Sequence, residues 1–149
     1  MIHKQLQYIQ ENLPYINKKQ VKVSKATVGW HLDHVLKVIN SVFESVKTSN
    51  PKEFKKQFNG LRFLFFTIGF FPRGKVKAPK WVMPPVIILK EEIELQLKLA
   101  IQNLEKINDI EENQFFKHPL FKQLNKKQML YFLKLHTHHH LKIVKEILK

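Results

Sequence analysis

Apolar residues recur at three- and four-residue intervals along four long stretches of the chain, which is the spacing of amphipathic helices. A short helix is predicted first, from Ile2 to Asn12, closed by Leu13-Pro14. A polar linker, Lys18 to Val23, precedes the second helix, Ala26 to about Lys47, with Ser24 placed to cap it. Asn50-Pro51 gives a cap followed by proline at the first helical position, so a third helix is expected from Lys52 to about Phe70. Gly69 and Pro72-Arg73-Gly74 end it, and a loop rich in Pro, Gly and Lys follows from Arg73 to Pro85, with Ala78-Pro79-Lys80-Trp81 inside it. The fourth helix is predicted from Leu89 to Asn108, and Glu111 to Leu124 reads as a second connection. Asn125 and Gln128 have capping-box spacing and open a last helix, Lys126 to about Leu148. No strand is expected: Val82 to Leu89 is the one β-like run, and Pro84-Pro85 breaks it. The pattern predicts an all-α protein, a four-helix bundle with a short extra N-terminal helix. All of 1–149 forms a single domain, with the core bundle at about 24–149.

Composition narrows the chemistry. The chain has no cysteine, which removes disulfides, thiolate ligands and a cysteine nucleophile, so any metal must sit on nitrogen and oxygen. The formal net charge is +14, with 26 Lys and Arg against 12 Asp and Glu. Arginine occurs only as Arg62 and Arg73, and the lysines are spread over the outer faces of every helix. That pattern favours a solvated lysine-rich surface over a nucleic-acid interface, which would show clustered arginine and interleaved aromatics. Leu61 to Phe71 is apolar but too short to span a bilayer, and Met1 to Tyr15 does not read as a secretory signal. A cytoplasmic protein without membrane contact is expected.

The chemistry concentrates in the last helix, where His136, His138, His139 and His140 fall within five residues. On a helical wheel His136 and His140, at i and i+4, lie in the middle of the stripe formed by Met129, Phe132, Leu133, Ile143, Val144 and Ile147. His139 falls near the edge of that stripe and His138 among Lys134, Lys142 and Lys145. Two stacked inward imidazoles must be satisfied, either by separate hydrogen bonds or by a divalent metal. In the second helix His31 lies within the stripe of Val28, Leu32, Val35, Ile39 and Val42. His34 falls at the boundary with a polar face carrying Asp33, Lys37 and Glu44. His31 is therefore the better third ligand, and His34 the alternative or an outer partner. Three histidines on two helices would leave a coordination position open, as in catalytic rather than structural sites.

Trp30-His31-Leu32-Asp33-His34 together with His136-x-x-x-His140 resembles the DinB/YfiT-like superfamily. His118-Pro119-Leu120-Phe121, then Leu124-Asn125-Lys126-Lys127-Gln128, and the loop from Gly74 to Pro84 are similar to an uncharacterised branch of it. The likeness runs from about Ser24 to the end and departs from the family at Lys142 and Ile143, where arginine and glutamine are common. It implies a four-helix bundle with a divalent metal, zinc or nickel, held by His31, His136 and His140. It also implies a small-molecule substrate, activation of a thiol cofactor or a water, and thiol S-transfer, isomerisation or hydrolysis. Homodimers are common in such bundles.

No general base stands out. Asp33 is expected on an outer face, and Glu91, Glu92 and Glu94 suit the positive end of the fourth helix. Trp30, Phe66, Trp81 and Tyr131 are candidate pocket residues, Trp81 as part of a lid. Two readings follow: a metal-dependent transferase or hydrolase, or a non-catalytic bundle that serves as a metal scaffold or a basic nucleic-acid module.

Overall fold

A computed structural model describes residues 2–74 and 80–149; Ala78-Pro79 and the middle of the expected Gly74 to Pro84 loop lie outside them. Among the described residues the chain is mostly helical, with one small sheet. Five helices, α1 (Ile2–Glu11), α2 (Val28–Lys47), α3 (Gly60–Ile68), α4 (Lys90–Glu105) and α5 (Lys126–Ile147), are joined by 3-10 turns and a hairpin, β1 (Phe115–His118) and β2 (Lys122–Asn125). No described helix is long and apolar enough to cross a membrane.

The four helices that share the core are α1, α2, α4 and α5. The central helix α2 packs on both α4 and α5, and α1 closes the far side against the same two. This corrects the expected assignment, in which the first helix was the extra one and the third belonged to the bundle. The third segment shortens because it has two start signals. Asn50 caps only a turn, Pro51–Glu53, and Asn59 caps a second start by accepting from the Arg62 amide. The Arg62 guanidinium then donates to the carbonyls of Gln57, Phe121 and Gln123, tying the bent chain to the hairpin. Gly69, at φ 72°, supplies the left-handed residue that ends α3. None of the α3 residues is fully buried.

Two local expectations change and a third holds. Thr27, not Ser24, caps α2, accepting from the Trp30 amide at 3.1 Å. The connection 111–124 holds the β1–β2 pair, with Phe116 opposite Leu124 and His118 opposite Lys122. Its strands are too short for alternation to register, and their buried residues are fixed by packing on α2 and α5. Asn125 and Gln128 do form the reciprocal capping box that opens α5.

Burial on α2 is not a single stripe. Thirteen of its residues are buried, because β1 and the turns at Leu13–Tyr15 and Lys80–Val82 cover the sides that a two-neighbour helix would leave wet. Gly29 marks the closest approach: its amide donates to the Ile16 carbonyl at 2.8 Å. A Cβ there would sit 3.0 Å from that oxygen and 3.1 Å from the Ile16 Cβ. Gly29→Ala is expected to lower unfolding free energy by roughly 1–3 kcal/mol through this overpacking, read by chemical denaturation.

Asp33 likewise lies inside, 1 % exposed, against the expected outer face. It pairs with Lys37 at 2.8 Å and accepts from Gln96 Nε2 at 2.7 Å. Further along, Asn103 Nδ2 donates to Asn40 Oδ1 and its Oδ1 accepts from Lys47 Nζ, so a polar seam fixes the register of α2 against α4. Asp33 is spent on that seam and offers no base to a site.

Candidate metal centre

Trp30, His34, Val38, Ser41 and Ser45 form a third line along α2, at spacings of four, four, three and four. The small and short side chains on that line leave room, and the facing turns of α5 carry His136, His139 and His140. Between them lies a cavity of about 780 Å³, closed on its other sides by Phe71, Phe116, Phe121 and Phe132. Its walls are chiefly apolar, and the histidines are gathered in one part of it. Trp81 lines it too while remaining 72 % exposed, which puts the indole at the mouth. Trp30 also lines it; Phe66 and Tyr131 do not, and the Tyr131 hydroxyl instead donates to the Phe66 carbonyl at 3.0 Å.

His34, His136 and His140 come together here, each offering one ligand atom, all within 4.8 Å of one another. Ring centroids are 4.7 Å apart for His34–His140 and for His136–His140, and 5.2 Å for His34–His136. Small ring rotations bring donors at this spacing onto one ion. The boundary position expected of His34 is corrected: it is 3 % exposed, stacked on Trp30, with Nδ1 donating to the Val82 carbonyl at 2.8 Å. That bond fixes the tautomer and leaves Nε2 as the lone-pair nitrogen. The signal for this residue lay in the Trp30–His34–Val38 line, which the apolar stripe through Val35 and Ile39 masked.

His31 is also buried, and sits beside the cluster. Its Nδ1 lies 3.0 Å from His140 Nδ1, and its Nε2 lies 3.1 Å from Ser24 Oγ. One proton only can lie between the two Nδ1 atoms. If His140 donates it, His31 Nε2–H donates to Ser24 Oγ, and His140 Nε2 is left with its lone pair free. Ser24 Oγ also accepts from the Ala26 amide at 3.1 Å, which fixes the hydroxyl in place. His138 is exposed, as the wheel predicts, and His139 half-buried at the cavity edge.

Every imidazole of this group is held neutral. Burial, then the neighbouring histidines, pushes His136 and His140 well below the ordinary 6.5. Burial pushes His31 down to about 4 and lowers His34 and His139. Neutral imidazole is the form that binds a metal. The donor set therefore fits a divalent ion of the zinc or nickel kind. So does His136 Nδ1, which is buried without a hydrogen-bond partner. Such an atom costs about 1–3 kcal/mol when left unsatisfied, and ligation of that ring would relieve it. Comparison with protein families, with curated proteins and with solved structures finds no match for this chain.

Proposed function

We propose that this protein is a metal-dependent enzyme of the DinB-like type, acting on a small and largely apolar molecule. The observation that carries the reading is the convergence of His34, His136 and His140 on the wall of a roomy apolar cavity. A structural site would be closed by a fourth protein ligand; three ligands beside open space leave a position for an exogenous group. A divalent metal bound there supplies a Lewis acid that lowers the pKa of a bound thiol or water towards neutrality.

The chain's own residues supply the rest. The Val82 carbonyl and the His31–Ser24 pair orient the rings of His34 and His140 and would set which nitrogen each offers to an ion. The aromatic wall of Phe71, Phe116, Phe121 and Phe132 excludes water from the reacting atoms and accommodates an apolar group. Chemistry of the thiol S-transferase or hydrolase kind suits such a pocket, and no carboxylate of the described chain reaches it to act as base.

Cobalt substitution tests the reading. Purified, untagged protein should take up about one equivalent of cobalt(II) with the absorption of a nitrogen-ligated low-coordinate ion. A small apolar thiol should then add a thiolate-to-metal charge-transfer band. Failure to bind cobalt, zinc or nickel would sink the proposal. Binding of one ion with no response to any thiol or small anion would mark a closed scaffold instead.

A further inference from the structure

The bundle leaves one face uncovered. On α3, Arg62, Phe65 and Phe66 turn towards the hairpin and α5, while Leu61, Leu64 and Ile68 form a line along one exposed flank. That outer line is wet, together with Phe63 at 63 % and Phe58 at 79 % exposure. The connection to α4 continues in kind, with Val86 and Ile87 fully or largely exposed and Trp81 beside them in sequence. An apolar helix face of this size, flanked by aromatics, needs a cover.

Charge selects the cover. Residues 51–90 carry nine Lys and Arg against Glu53 alone. Lys55 and Lys56, next to Phe58, are exposed, and so are Lys117 and Lys122 on the hairpin that α3 rests upon. Arg62 meets backbone carbonyls rather than a carboxylate, so its charge remains uncompensated. A second copy of the chain would bring two such stretches together within the roughly 8 Å over which salt fails to screen them. A nucleic acid would answer the lysines but not Leu61, Leu64 and Ile68. A bilayer with anionic headgroups answers both: the aliphatic and aromatic side chains enter the headgroup boundary, and the lysines meet the phosphates.

We propose that the outer face of α3, with the exposed Val86 and Ile87 that precede α4, docks this protein on an anionic phospholipid surface. The expectation of no membrane contact rested on the lack of a spanning segment, which a peripheral helix does not need. The inference stands apart from the metal reading.

Vesicle sedimentation tests it. The wild type should sediment with phosphatidylcholine vesicles containing about one-third phosphatidylglycerol, not with phosphatidylcholine alone, and should be released by salt. The triple variant Phe63→Ser/Leu64→Ser/Ile68→Ser alters side chains that are already wet. It should keep its melting transition and lose roughly tenfold or more in partitioning. Lys55→Glu/Lys56→Glu should weaken binding through charge alone. No sedimentation with anionic vesicles, or a triple variant that binds as well as the wild type, overturns the proposal. So does a wild-type dimer that the triple variant dissolves, which gives the face to a second copy, or loss of DNA binding in that variant, which gives it to nucleic acid.

Discussion

Alanine at His34, His136 or His140 is expected to abolish stoichiometric metal binding. The loss should exceed the roughly 10–100-fold that removal of an outer hydrogen-bond partner costs. His31→Ala should fall within that smaller range, because His31 reaches the site through His140 Nδ1 rather than by joining the triad. His138→Ala, on an exposed position, should change nothing. Titration against a chromophoric chelator gives the constants, and melts of the metal-free variants separate affinity from folding. That separation matters at His34, where alanine also strips the Val82 carbonyl of its donor. The opposite order, with His31→Ala losing the ion outright and His34→Ala keeping it, would favour the ligand set implied by the family resemblance. Ser24→Ala gives a further check on the chain of bonds. If Ser24 holds His31 so that His140 presents Nε2, its loss should mimic His31→Ala in direction and be smaller.

The two histidines of α5 were legible because α5 is a surface helix of the bundle with one buried stripe, so that a wheel separates His136 and His140 from His138. The same device fails on α2. That helix has neighbours on nearly every side, and inside is no longer one arc of the wheel. Asp33 and His34 both fall on what a stripe through Val35 and Ile39 marks as the polar edge, and both are buried. Asp33 is tolerated there because Gln96 and Lys37 satisfy it, and His34 because Val82 does. Lys37 lies on α2 itself, but Gln96 and Val82 come from 63 and 48 residues away and cannot be read from α2 alone. Asn125 and Gln128, a local capping device, were readable without any tertiary knowledge. The α3 region shows the converse limit. Two asparagine caps nine residues apart compete for one helix, and the choice between them is made by Arg62 reaching the hairpin. The role of α1 in the core was hidden for a related reason. Its ten residues carry a clear apolar side, but nothing local to them shows which helices cover it; Leu6 and Ile9 are buried against α4 and α5.

Acid should unfold the metal-free protein through His118 as well as through the cluster. His118 stacks on Phe121 with ring centroids 4.3 Å apart, and its Nδ1 accepts from the amides of Leu120 and Phe121, each at 3.1 Å. A proton on Nδ1 would break both bonds of the hairpin turn. Burial accordingly pushes His118 down to about 4. The unfolded chain takes up that proton near the ordinary 6.5, so between 6.5 and about 4 the unfolded state binds more protons than the folded one. Stability is then fully present above pH 6.5 and falls as pH falls through the window, at about 1.4 kcal/mol per pH unit for this one ring. His31 is lowered to the same level and adds to the slope in the same direction. For a chain of this size, each kcal/mol shifts the midpoint by about 2–4 °C. Cooling of the melting transition between pH 7 and pH 5 should therefore be plain in a thermal scan. His118→Asn isolates the hairpin's share. The asparagine oxygen can accept from the same amides without titrating, so the variant should lose some stability at neutral pH, through the lost stacking, yet show a flatter pH slope. An unchanged slope in His118→Asn, or a ring titration midpoint near 6.5 by NMR, would mean that the turn does not hold His118 neutral.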